Sequence, residues 1–96
     1  MTEPILAPGG YINASNWPAD KLPWRVLDLL EDVDPEEAEI YREEMEQLDP
    51  QDLDTPQILY EMEREMTEIL NDHAPENHWV GYVGDMFGCW HTDVEP

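Results

Sequence analysis

Proline is the first constraint on this chain. Nine prolines in 96 residues partition it, because the ring removes a backbone donor and cannot sit in a helix interior or a central strand. Pro4, Pro8, Pro18 and Pro23, with Gly9 and Gly10, break residues 1–19 into an irregular arm whose best regular element is a short edge strand at Tyr11-Ile12. Asp34-Pro35, Asp49-Pro50, Thr55-Pro56 and Pro75 cut the remainder into segments of helical length followed by a tail of different period. With room for one core, the expected organisation is a single domain over 1–96, comprising arm 1–19, acidic helical region 20–72 and β-hairpin 78–91.

Each central segment opens on a helix-start signal. The first helix is expected from Lys21 to Val33, with Asp20 as N-cap, Pro23 in the first turn and Trp24, Leu27, Leu30 and Val33 on one face. Asp34-Pro35-Glu36-Glu37 places a cap before an N1 proline with glutamate at N3, an approximate capping box, for a second helix running to Leu48. Ala38, Tyr41, Met45 and Leu48 form its apolar side, and Asp49-Pro50 stops it. Thr55-Pro56 repeats the signal for a third helix over Pro56–Asn71, with Leu59, Met62, Met66 and Ile69 facing the core.

Beyond Pro75 the period approaches two. His78–Val83 and Met86–His91 flank Gly84-Asp85, a two-residue hairpin turn. Pairing 83 with 86 sets Tyr82 opposite Phe87, Val80 opposite Cys89, Trp79 opposite Trp90 and His78 opposite His91. One face then carries Trp79, Val83, Met86 and Trp90, and the other His78, Val80, Tyr82, Phe87, Cys89 and His91. An isolated hairpin is marginal, so it must pack on the helices or pair with the arm. The expected class is α+β, with three acidic helices, a C-terminal hairpin and a short N-terminal strand. The four tryptophans are expected mainly in the core.

Charge then limits function. Twenty-four Asp and Glu face four Lys and Arg, a net charge of −20, whereas nucleic-acid binding and attachment to anionic lipid both need a cationic surface. Apolar runs are too short to span a bilayer, and 41% hydrophobic residues are too many for a chain disordered by charge. Cys89 has no internal disulfide partner and the start MTEPILAPGG does not read as a signal peptide, so a reducing cytoplasm is the expected compartment.

The acids are ordered. Glu36, Glu39, Glu43 and Glu46 recur at i, i+3, i+7 and i+10 on helix two, and Glu61, Glu65, Glu68 and Asp72 make a second stripe on helix three. Axial steps along such a stripe are roughly 4.5 to 6 Å, and like charges at this spacing destabilise a helix by a few tenths of a kcal/mol per pair. Stability therefore does not account for them. These eight residues are the candidate partner-binding set.

Other chemistry finds less support. Asp32, Asp34, Glu36 and Glu43 fit positions 1, 3, 5 and 12 of a calcium loop, but Glu37 stands where the glycine turn is required. His73, His78, Cys89 and His91 are zinc-ligand types without paired-cysteine or His-x3-His spacing. No phosphate loop, nucleophile elbow or zinc-protease motif occurs, and similar exposed carboxylates do not make an acid–base pair. No enzyme activity, metal or cofactor is expected.

In its size, its −20 charge and its acidic helices from Asp28 to Asp72, the chain resembles small acidic DNA-mimic inhibitors encoded by phages and mobile elements, including anti-restriction and anti-CRISPR proteins. The tail from His73-Ala74-Pro75 through Gly84-Asp85-Met86-Phe87-Gly88-Cys89-Trp90 also resembles those of small phage proteins. The resemblance implies a host-cytoplasmic inhibitor whose partner is a bacterial DNA-binding or nuclease protein with a basic groove. The alternatives are an adaptor that binds a protein partner through its aromatic hairpin and Met-bearing helices, a calmodulin-like binder of basic peptides using Met62 and Met66, and a halophile protein whose acids serve solubility.

Overall fold

A computed structural model describes residues 6–94. Strand β1 (Gly9–Asn13) leads through a single 3-10 turn at Ala14–Asn16 to three helices, α1 (Leu22–Val33), α2 (Pro35–Glu46) and α3 (Thr55–Asp72). Strands β2 (His78–Val83) and β3 (Met86–His91) follow. The sheet is antiparallel in the order β1-β3-β2, so the class is α+β with a strand preceding the helices. Pro4 lies outside the described residues.

The cap signals work unequally. Asp34 accepts from the Glu37 amide at 3.4 Å through its side chain and donates its own N–H to Leu30 O in the last bond of α1, so one residue ends one helix and starts the next. Asp20 does not cap α1: the helix starts at Leu22 behind Lys21, without a side-chain cap. Thr55 lies inside α3 behind Asp54, buried, with its hydroxyl donating to the Asp49 carbonyl across the α2–α3 loop. Helix α2 ends at Glu46 rather than Leu48, although Leu48 still packs against the core.

Core formation follows the apolar stripes with one rotation. Val26, Leu27, Leu30 and Val33 of α1, Ala38 and Met45 of α2, and Leu59, Met62, Met66 and Leu70 of α3 are buried with Ile12, Val80, Phe87 and Cys89 from the sheet. On α3, Leu70 takes the deep position expected of Ile69, which is half-buried. Helix α1 packs against both other helices, and α3 carries the sheet on β2.

The hairpin has the register that its turn dictates, with Val83 paired to Met86 and His78 to His91, and Gly84 takes the positive φ of 60° that the turn requires. Its Val80-Phe87-Cys89 face meets the helices, while the Trp79-Met86-Trp90 face turns outward. None of the four tryptophans is buried. Trp17 is exposed and the others are half-buried, which corrects the expected core placement. Strand β1 approaches β3 so closely at Gly88 that a Cβ there would strike the Gly9 carbonyl and the Gly10 backbone.

Candidate protein-interaction surface

All eight stripe residues, Glu36, Glu39, Glu43, Glu46, Glu61, Glu65, Glu68 and Asp72, are exposed. Each stripe is intact on its own helix, because the same 3.6-residue period that turns Ala38 and Met45, or Met62 and Met66, into the core turns the acids out. The two stripes do not merge into one face. Tyr41 of α2 packs on the core within the field of Glu65 and Glu68 of α3 as well as Glu37 and Glu44 of its own helix. At about 100° per residue, Glu36, Glu39, Glu43 and Glu46 lie on the opposite flank of α2 from Tyr41.

The acids that share the surroundings of the Tyr41 hydroxyl are therefore Glu37 and Glu44 of α2 with Glu65 and Glu68 of α3. Burial, with these four carboxylates, pushes the Tyr41 hydroxyl above its ordinary range. Glu37 and Glu44 were not among the stripe residues picked out from the sequence. Their signal is positional: they stand four residues before and three residues after Tyr41, on the flank of the one aromatic of α2.

The four cations do little to offset this field. Arg25 pairs with Asp28 at 3.2 Å and lies over the Trp17 ring at 4.7 Å. Arg42 reaches Glu31 of α1. Arg64 is exposed beside Glu61, Glu65 and Glu68, so the α3 stripe carries a local counter-charge, whereas Arg42 of α2 is drawn to α1. Charge is also divided between layers. Residues 20–72 hold nineteen of the acids, whereas strands β1, β2 and β3 contain no Asp or Glu.

A cleft of about 430 Å³ opens where the helix ends meet, between Lys21 and Trp24 of the α1 start, Met45 and Glu46 of α2, and Pro56 and Leu59 of α3. Its lining is mainly apolar, with Asp20, Lys21 and Glu46 the charged residues in it. A second, shallower groove lies between α3 and the sheet. There Tyr82 donates to Glu63 at 2.8 Å. Burial raises the Glu63 carboxyl while the tyrosine bond lowers it, and burial together with Glu63 holds the Tyr82 hydroxyl far above its usual value.

The histidines and the cysteine separate into three environments. His73 ends α3 and faces Asp34 at 3.3 Å. Cys89 is buried, its thiol pushed up by burial. His78 and His91 stack edge to face with ring centroids 5.2 Å apart. Among the described residues no three His, Cys, Asp or Glu side chains converge to hold an ion. The calcium-frame residues are helical from Pro35 onward, so they form no loop. Among the described residues no helix is long and apolar enough to cross a membrane. No family model, curated protein or solved structure matches the chain.

Proposed function

We propose that this chain is a phage-type DNA-mimic inhibitor that seats its acidic helical layer in the cationic DNA-binding groove of a bacterial defence protein, a CRISPR effector or restriction enzyme, and blocks DNA access. One observation carries the reading, a match of charge to length. The molecule is a slab of 40 × 33 × 17 Å, and duplex DNA of that length presents about 24 phosphate charges. The chain carries −20.

The division of charge between layers supports the same reading. Acids kept only for solubility in salt would be spread over every surface, yet the strands carry none. In the proposed complex, Glu36, Glu39, Glu43 and Glu46 on the exposed flank of α2 pair with lysines and arginines that otherwise hold phosphates. Glu61, Glu65, Glu68 and Asp72 offer a separate contact along α3. Competition of this kind needs no catalytic group and no cofactor, and it acts in the bacterial cytoplasm on a protein partner. Long-range attraction speeds association and weakens with ionic strength.

A second reading, an adaptor using the hairpin, draws on the outward Trp79, Val83, Met86 and Trp90 face. Salt separates the two. A tagged chain is used to capture proteins from bacterial lysate, washed at ~0.1 M and then ~0.5 M salt, with duplex DNA as competitor. Release of a nuclease or other DNA-binding protein by salt and by DNA supports mimicry, whereas a partner that survives both transfers the function to the hairpin. Replacing Glu39 and Glu43 by lysine together, both exposed, is expected to weaken that capture at least tenfold with the helical circular-dichroism signal unchanged. Full capture by a folded double variant overturns the assignment of the α2 stripe.

A further inference from the structure

The end of the hairpin away from its turn is a rigid platform bearing two imidazoles. His78 and His91 are direct cross-strand partners, and in this hairpin they fall at a non-hydrogen-bonded pair, where opposed side chains come closest. The backbone around them is pinned on both sides. His78 N donates to Pro75 O at 3.0 Å, Thr92 N to Asn77 O at 2.9 Å and Val94 N to His91 O at 2.8 Å, while the Trp79 indole donates to Val94 O at 3.1 Å.

Each ring is also oriented through Nδ1. His78 Nδ1 stands 2.9 Å from the Glu76 carbonyl, an acceptor, so Nδ1 carries the proton and the Nε2 lone pair is free to bind. His91 Nδ1 has two neighbours, the Asp93 amide at 3.1 Å and Asp93 Oδ2 at 3.2 Å. The amide favours the tautomer protonated at Nε2, and the carboxylate favours the one protonated at Nδ1. A cation at Nε2 selects the second, and Asp93 is in place to receive that Nδ1 proton. An oxygen acceptor behind each imidazole is the arrangement that fixes metal-ligating histidines.

We propose that His78 and His91 form a two-histidine site for a borderline transition-metal dication, the class that includes zinc, nickel and copper(II). Imidazole nitrogens suit these ions and not magnesium or calcium, which seek oxygen. Two protein ligands leave the other positions to water, and the anionic field of the molecule concentrates dications around it. The site is independent of electrostatic competition by the helices, which lie on other elements.

The test is zinc titration of the intact chain by calorimetry near pH ~7.5, in about 10 mM magnesium to occupy the carboxylates. One saturable zinc site per chain is expected, with the ring-proton resonances of His78 and His91 shifting together and that of His73 unmoved. His91→Gln, at an exposed position, removes the saturable phase. Asp93→Ala, which leaves only the amide behind Nδ1, weakens it by about tenfold. The near-ultraviolet dichroism of the Trp79–Trp90 pair reports whether each variant keeps its hairpin. Zinc binding that persists in a folded His91→Gln variant, or that magnesium displaces, overturns the proposal.

Discussion

Glu63 is where charge and burial oppose each other most directly. Its carboxyl is half-buried beside Tyr82, and burial raises its pKa while the 2.8 Å bond from the tyrosine hydroxyl lowers it. With the net shift upward, the folded chain holds this proton over a range where the unfolded chain has lost it. Stability from Glu63 is then fully present below the ordinary carboxylate range and is lost as pH rises through the folded value. Glu63→Gln keeps an acceptor for Tyr82 and removes the charge. Its denaturant midpoint is expected to exceed that of the parent chain at pH 7 and to converge with it at acid pH, and an equal difference at every pH rules out this origin. Tyr82→Phe, which leaves a half-buried carboxylate without its donor, costs about 1 to 3 kcal/mol at pH 7.

Among the elements, α3 grips the backbone of β2 through one side-chain amide. Asn71 accepts from Val80 N at 2.8 Å and donates to Val80 O at 3.0 Å, so its side chain pairs with the outer edge of β2 as a neighbouring strand would. Open edges invite pairing with other chains, and here the end of a helix closes one. Asn71→Ala is expected to lower stability by about 1 to 3 kcal/mol and to promote concentration-dependent association detectable by light scattering; a variant that stays monomeric at the same concentration refutes the edge-closing role. Sequence pattern revealed the hairpin register because a two-residue turn leaves only one in-phase pairing. It revealed neither this bridge nor the bulge between Gly10 and Ile12 where β1 joins β3, since both depend on how α3 and the arm approach the sheet.

The scale of the whole molecule is electrostatic. A net charge of −20 within a 40 × 33 × 17 Å envelope opposes compaction through self-repulsion. Raising salt from ~0.05 M to ~0.5 M shortens the Debye length below the spacing of most surface charges, so the thermal midpoint is expected to rise with sodium chloride while the fold is already formed in dilute buffer. A chain that is unfolded in dilute buffer and folds only in molar salt fits the halophile reading instead. The same screening that stabilises the free protein weakens the proposed complex, and opposite salt responses of fold and binding would identify both with one field.

Local and periodic features were legible in the residues alone: three helices started near Lys21, Asp34 and Thr55, a hairpin about Gly84-Asp85, and carboxylates held out of the core by the period that puts methionine and leucine into it. These features rest on residues within about a dozen positions of one another, where backbone geometry relates spacing to direction. Tertiary packing set which flank of α2 carries Tyr41 onto the core, and hence that Glu37 and Glu44, not the longer stripe, share its surroundings with Glu65 and Glu68. It also decided that the tryptophans lie outside the buried core, that His73 reaches Asp34, and that Leu6 bonds the His73 carbonyl while its own carbonyl meets the Cys89 thiol. Those outcomes depend on elements separated by tens of residues competing for one small core, and burial there is settled by packing of the assembled layers, which local period does not encode.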